Sequence, residues 1–428
     1  MTKLLASTTL LVAALGATSL AIAHNDDDHD ELQAHSSRPF TLAVYGDAPY
    51  GCKAPTAAAA SDECPPGSIF RPDDANLPNP GDPRQIEATP AFIGAVNRDP
   101  QVALVVHVGD IHSGSQFCTV AYDRTILNLW SHFEDPLVYT PGDNEWADCQ
   151  KAKEGGGVVN AAGDYVDYAA GHPVANLALI RAMFFAEPGR TLGAHSKRVT
   201  SQAQAYDPAF PSDAEYVENV MWEQSQVLFV TINVPGGSNN DSDTWNAGSF
   251  GSAFAATGNT KSAPQLQDLA QRTGADLRWL DAAFARADAH HVKAVVIVDQ
   301  ADMWDLDGTL PADNHLAKYE PLIAKMAAKS QAFGKPVLLF NGDSHHYRSD
   351  NPLKQQQPCV TEAGAASTAC SEDDWATHPN YDVSNFHRVV VHGSTFPLEY
   401  LRLAVDTRVN NAPSATSFGP FSWERVIP

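Results

Sequence analysis

Short apolar runs that stop abruptly at glycine-bearing polar turns recur along the chain. Residues 40–45 end at Gly46-Asp47, residues 102–108 at Gly109-Asp110, and residues 137–140 at Pro141-Gly142-Asp143. Runs this short and this apolar predict strands buried on both faces. Between them, residues 85–96 and 122–133 space their apolar side chains as helices do. The alternation resumes with a strand over 227–234 and a helix over 266–290, striped by Leu266, Leu269, Leu277, Leu280 and Phe284. A strand over 292–298, a helix over 315–333 and a strand over 336–340 follow, the last ending at Asn341-Gly342-Asp343. Strands over 388–392 and 399–406 close the pattern. Strand, polar loop, helix, repeated, predicts an α/β fold with a largely parallel sheet.

Three stretches interrupt this rhythm and read as insertions in one domain spanning 38–428. Residues 147–215 hold Gly155-Gly156-Gly157, several prolines and one helical stretch over 176–185; 236–262 are rich in Gly, Ser and Asn; 350–385 are polar. No internal repeat is evident. At the other end, Lys3, an uncharged run over 4–23 and small residues at Ala21 and Ala23 predict a secretory signal peptide over 1–23. The run is also long enough for a retained anchor, a reading weakened by Thr8, Thr9, Gly16, Thr18 and Ser19. The expectation is an exported protein, periplasmic or extracellular, with no stable membrane association after cleavage. An acidic, His-containing arm follows over 24–37, too polar to pack.

Charge narrows the partners. With 28 Lys and Arg against 51 Asp and Glu, the formal net charge is -23, which opposes non-specific nucleic-acid binding. The same field repels phosphate, so a phosphate-handling site here needs local positive charge, and bound metal ions are the obvious source. The six cysteines, an even number in a chain expected to be exported, suggest disulfides. Nearest-neighbour pairing is the simplest arrangement: Cys52 with Cys64, Cys118 with Cys149, Cys359 with Cys370. Spacing alone does not fix connectivity, and no close Cys-x-x-Cys pair suggests a zinc site.

The candidate chemistry lies at the strand ends. Asp47, Asp110, Asp143 and Asp343 each follow a glycine just past a predicted strand, and Asp299-Gln300 and His345 occupy similar places. Ligands of open α/β sheets bind at that edge. One Gly-Asp turn is commonplace, and turn or cap aspartates are the plain alternative. Four converging carboxylates repel one another unless cations hold them, which points to a polynuclear metal site.

In order and spacing these pieces resemble the calcineurin-like metallophosphoesterases, the family that includes the purple acid phosphatases. The matching segments are Tyr45-Gly46-Asp47, Val108-Gly109-Asp110, Pro141-Gly142-Asp143-Asn144-Glu145, Val298-Asp299-Gln300 and Gly342-Asp343-Ser344-His345. The resemblance spans residues 40 to about 405. It implies a four-layer α/β/β/α sandwich and a pair of divalent metal ions bridged by Asp110. Asp47 and His345 would complete one ion's position, and Asp143, Asp343 and Gln300 the other.

The motifs also depart from the family pattern. Pro49 stands where the first motif has its His, Asp143 replaces an Asn ligand, Asn144 the neighbouring His, Gln300 the later lone His, and Asp343 the first His of the closing pair. A purple-type Tyr ligand has no counterpart, since Ser113 holds its place. An oxygen-rich set with one imidazole favours Mn, Mg, Ca or Fe over zinc. His112 and Tyr50 are near enough in sequence to fill the missing ligand place. The implied activity is hydrolysis of small phosphate esters by a metal-activated water, with His112, Glu145 or His346 as proton donor. Asn144 would contact phosphate, or cap a turn; Arg348 is a candidate anion contact. Trp146 and Trp304 either line the mouth or pack in the core. The alternatives are a non-catalytic binding or surface protein on a degenerate version of the fold, and a single structural calcium.

Overall fold

The alternating runs pair into two sheets in the structure, a computed structural model that describes residues 36–51, 83–159, 162–241, 244–245, 261–304, 312–354, 358–361, 368–369 and 381–428. The expected signal peptide, most of the acidic arm, Cys52, Cys64, Cys370 and the Cys359 side chain lie outside these residues. The first sheet joins β1 (Phe40–Tyr45), β2 (Val102–His107) and β3 (Leu137–Tyr139) in parallel. Antiparallel to β1 runs β13 (Tyr400–Val405), followed by β15 (Phe421–Val426) and β14 (Ser417–Phe418).

The second sheet has a parallel centre of β6 (Val227–Thr231), β7 (Ala294–Val298), β8 (Val337–Asn341) and β12 (Phe386–Val390). Its flanks are antiparallel: β5 (Val220–Gln224) and β4 (Thr200–Ser201) on one side, β9 (Arg348–Asp350), β10 (Pro358–Thr361) and β11 (Thr368–Ala369) on the other.

Period-two alternation assigns the layers. Leu42, Val44, Leu104 and Val106 point from the first sheet into a shared core with Phe229, Val296, Leu338 and Val389 of the second. The intervening Ala43, Tyr45 and Val105 face the other way. They pack on Ile86, Phe92 and Ile93 of α1 (Pro83–Asn97), on Ile126 and Trp130 of α2 (Val120–Trp130), and on Ile180 of α3 (Pro173–Phe184). Leu228, Val295, Ile297 and Leu339 likewise turn outward onto Trp279, Leu280 and Phe284 of α4 (Ala263–Ala289) and Leu322, Ile323 and Met326 of α5 (Ala312–Phe333). The result is an α/β/β/α sandwich. Each such fully buried aliphatic or aromatic side chain contributes about 1.5–3 kcal/mol.

Helix ends follow local chemistry. Thr119 caps α2 by accepting from the Tyr122 amide, and Ser262 caps α4 with Pro264 in its first turn. Among the described residues, no helix is long and apolar enough to cross a membrane.

The structure adds elements beyond the sequence expectation. β9, β10 and β11 extend the second sheet from the region around the polar stretch 350–385, and β15 pairs with β13 beyond the last expected strand. In β15 the buried Phe421 and Trp423 alternate with the exposed Ser422 and Glu424, as a one-faced strand requires. The stretch 147–215 contributes α3 to the outer core and β4 to a sheet edge.

Candidate metal centre

The carboxyl ends of the parallel strands from both sheets meet. Asp47 follows β1, Asp110 follows β2, Asp143 follows β3, Gln300 follows β7, and Asp343 and His345 follow β8. Asp47, Asp110, Asp343 and His345 all have left-handed backbone, with φ of 47°, 57°, 73° and 65°. Asp and His tolerate this region better than most residues, because a short polar side chain satisfies the backbone locally. Four such residues at one point mark a place where the surrounding structure over-determines a strained conformation.

The glycines of the repeated Gly-Asp turns have a steric reason. A Cβ on Gly142 would lie 1.9 Å from Asp110 Oδ1, and one on Gly342 would lie 2.3 Å from Asp47 Oδ2. Neighbouring turns stack so closely that only hydrogen fits between one turn's glycine and the next turn's carboxylate.

Hydrogen bonds then fix the carboxylates. The Asp343 amide donates to Asp47 Oδ1 at 2.9 Å, joining the two sheets. Asn144 donates twice to Asp110, from its backbone N to Oδ1 at 3.2 Å and from Nδ2 to Oδ2 at 2.9 Å. Gln300 Nε2 donates to Asp110 Oδ2 at 3.1 Å and Asp143 Oδ1 at 3.2 Å, while its Oε1 accepts from the Gly236 amide at 2.5 Å. The Gly236 N–H requires an oxygen opposite it, so the amide orientation is settled by the network. Gln300, expected as a ligand, therefore presents donor hydrogens to the carboxylates in this arrangement.

Ligand-type atoms of Asp47, Asp110 and His345 all lie within 4.8 Å of one another, and those of Asp110, Asp143 and Asp343 do the same. Asp110 belongs to both groups. Three observations test whether cations fit. Asp47 Oδ2 is buried with no hydrogen-bond partner among the described residues. Burial, with repulsion from Asp143, Glu145 and Asp47, pushes the Asp110 carboxyl well above the carboxylate range, and burial does the same to Asp47. Asp143 is pushed up to about 7, by burial first and then by Asp148. Finally, burial holds His345 down at about 4, hence neutral, as ligation requires. The donors present, mostly carboxylate oxygens with one neutral imidazole, fit hard divalent ions.

The remaining expected residues divide. The Tyr50 hydroxyl meets His345 Nε2 at 3.1 Å, directly beside the first group. Glu145 is buried under the centre, its Oε1 accepting from the Tyr139 hydroxyl at 2.5 Å and the Gly142 amide at 2.7 Å. His112, expected as a proton donor, groups instead with Cys118 and Cys149, which form a disulfide. Burial lowers it to about 4. His346 is exposed, and Arg348 lies in β9. Trp146 and Trp304 are fully buried, packed under Arg272 and Arg388.

Sequence reasoning passed over three residues. The Asp302 amide donates to Asp343 Oδ2 at 3.3 Å, Gly236 orients Gln300, and Lys153 pairs with the buried Glu154 carboxylate at 3.7 Å. A side chain at Gly114 would meet Asn144 Oδ1 at 3.0 Å, Lys153 Nζ at 3.5 Å and Glu154 Oε1 at 3.7 Å, so glycine fits best beside this ion pair. Asp302 was visible two positions after Gln300; nothing local flagged the other two.

A two-sheet sandwich with a carboxylate-rich candidate centre at its strand ends is thus the class that fold and site define. No family model matches the sequence, and no curated protein matches it. Among solved structures, the chain is similar to that described as the structure of PhoD, at 10% identity with a TM-score of 0.40, covering 87% of this chain and 65% of that one. It is also similar to the purple acid phosphatase PPD1 from yellow lupin (Lupinus luteus) seeds, at 11% identity with a TM-score of 0.36, covering 91% of this chain and 52% of that one. The chain thus spans less than two thirds of the first and about half of the second. At these values the likeness assigns neither activity nor ligands to this chain.

Proposed function

We propose that this chain is an exported metal-dependent phosphoesterase acting on small phosphate esters. The observation that carries the reading is the sharing of Asp110 by two ligand groups, the arrangement a bridging carboxylate between two cations needs. Asp47, Asp110 and His345 would hold one ion, and Asp110, Asp143 and Asp343 the other. Bound divalent ions supply acidified water and neutralise phosphate charge.

The chain's own residues do the rest. Asn144 and Gln300 hold Asp110 by donating to it, which fixes the orientation of its two oxygens. Tyr50 meets His345 at Nε2, the ring nitrogen 3.7 Å from Asp47 Oδ1, so its hydroxyl would have to give way for that nitrogen to ligate. Lys153, half exposed, lies 3.7 Å from the buried Glu154 carboxylate, so its charge is already shared within the chain. Glu145, whose carboxyl is raised by burial, keeps its proton more readily than an exposed glutamate and supports the Asp143 turn through the Gly142 amide.

The test is elemental analysis of the purified protein together with phosphate release from an aryl phosphate across Mn, Mg, Ca, Fe and Zn. Bound divalent metal with turnover supports the proposal. Metal without turnover, or neither, favours the non-catalytic binding reading.

A further inference from the structure

The residues that follow Asp110 and Asp143 meet a second time, away from the carboxylates. Cys118, just before the Thr119 cap of α2, is bonded to Cys149, with Cα atoms 5.8 Å apart. A ring nitrogen of His112 lies within 4.8 Å of both sulfurs. His112 is fully buried. Its Nδ1 faces the Ser113 carbonyl at 3.2 Å, and its Nε2 has no hydrogen-bond partner among the described residues. An unpartnered, buried imidazole nitrogen costs about 1–3 kcal/mol and calls for an explanation. The Asn144 carbonyl oxygen stands 3.3 and 3.5 Å from the two sulfurs.

The geometry points to a second metal site that exists only when this disulfide is open: His112, Cys118 and Cys149 as a soft, sulfur-rich site for a thiophilic divalent ion such as zinc. While the bond is closed, neither sulfur carries the charge a ligand needs. A dithiol reductant converts the disulfide to two thiols and is itself oxidised to a cyclic disulfide. Metal binding then releases the two thiol protons and gives two thiolates and one neutral imidazole around the ion. That set is three of the four ligands of a tetrahedral zinc site, with a water or the Asn144 carbonyl available as the fourth. The oxygen-rich centre and this site therefore select different metals, hard ions at the strand ends and soft ones behind Asn144. The inference does not rest on phosphoesterase activity.

The experiment uses the full chain and cobalt(II) as the spectroscopic probe. Oxidised protein, and protein reduced with excess dithiothreitol and then freed of it anaerobically, are titrated with cobalt. Sulfur-to-cobalt charge-transfer absorption reads out thiolate ligation, and zinc competition reads affinity. The expected result is absorption only after reduction, absent in Cys118→Ser. In His112→Gln the affinity should drop about 10–100-fold or more, since loss of an outer-shell partner alone has that effect. Should these buried substitutions unfold the protein, alkylation mapping of the wild type decides. Metal should slow modification of Cys118 and Cys149 in the reduced protein. Equal alkylation with and without metal overturns the proposal. So does absorption unchanged in Cys118→Ser or His112→Gln, or a Cys118–Cys149 bond that no non-denaturing reduction opens.

Discussion

Two sets of buried carboxylates in this molecule differ in what neutralises them. Beside β9 and β12, Arg388 donates to Asp350 at 2.9 and 2.8 Å and also to Asp302. Burial would raise the Asp350 carboxyl, but the charge and hydrogen bonds of Arg388 more than reverse that and hold it below its ordinary value. At the strand ends, by contrast, no Lys or Arg side chain hydrogen-bonds to Asp47, Asp110 or Asp143 among the described residues, and all three are raised. Elsewhere too the chain supplies its own cations, with Arg278 on Asp213 and Arg181 on Glu218. The fold repeatedly matches a buried carboxylate with an arginine, but Asp47, Asp110 and Asp143 at the strand ends, like the buried Asp299, have no hydrogen-bonded Lys or Arg among the described residues.

The contrast is broken or sharpened by substitution. Asp110→Asn should lower turnover on an aryl phosphate on the order of 10³-fold or more. The metal-free variant should denature at the same or higher urea concentration than metal-free wild type, since a repelling charge is gone. A metal-free variant markedly less stable than wild type would mean that Asp110 is a structural anchor.

Arg388→Met should cost about 3–5 kcal/mol in urea unfolding by stranding Asp350 and Asp302. Metal content should stay as in wild type, and loss of metal here would erase the distinction between the clusters. Chelation should lower the melting temperature reversibly, corresponding to about 2.7 kcal/mol where free metal had been a hundred times its Kd. An unchanged Tm after verified metal removal counts against the centre.

Asn144→Ala should weaken metal binding about 10–100-fold, read by competition with a chelating dye, because a donor orienting Asp110 is lost. The smallest effect concerns pH. Asp350 has a depressed folded pKa, so its pairing contributes fully above the unfolded value of about 3.9 and is lost as pH falls through the lower folded one. In Arg388→Met burial is no longer offset by the arginine and raises Asp350, so the stability gap should start to narrow above about pH 4, as the variant's Asp350 takes up its proton, and stop narrowing below the lowered wild-type pKa. A gap that stays constant in acid would place the cost of the substitution in packing against Trp304.

The strand ends were legible because one signal served two purposes. A glycine that lets adjacent turns stack, followed by an aspartate that tolerates left-handed backbone, writes both the turn and the gathered carboxylate into two letters, as at Gly109-Asp110 and Gly342-Asp343. The four layers came only with the family resemblance, because a strand apolar on both faces, such as Phe40–Tyr45, does not mark which of Leu42 and Ala43 faces which layer. The role of Gln300 was not, because which end of its amide faces the carboxylates depends on the Gly236 amide from another loop. His112 stands close in sequence to Asp110, yet the chain turns it toward Cys118 and Cys149. Proximity along the chain does not show that the two cysteines gather around His112. β9 escaped notice because Arg348-Ser349-Asp350 is polar, and it is held by pairing with β12 and by the Arg388 contact.

The bond from the Asp343 amide to Asp47 spans 296 positions of chain. A growing or refolding polypeptide therefore carries scattered acidic turns with no shared address until β8 has docked across from β1. An ion held by the full set of candidate ligands would require both sheets to be in place. A chain cut between β7 and β8 would keep Asp47, Asp110 and Asp143 but lose Asp343 and His345, and with them both three-residue groups.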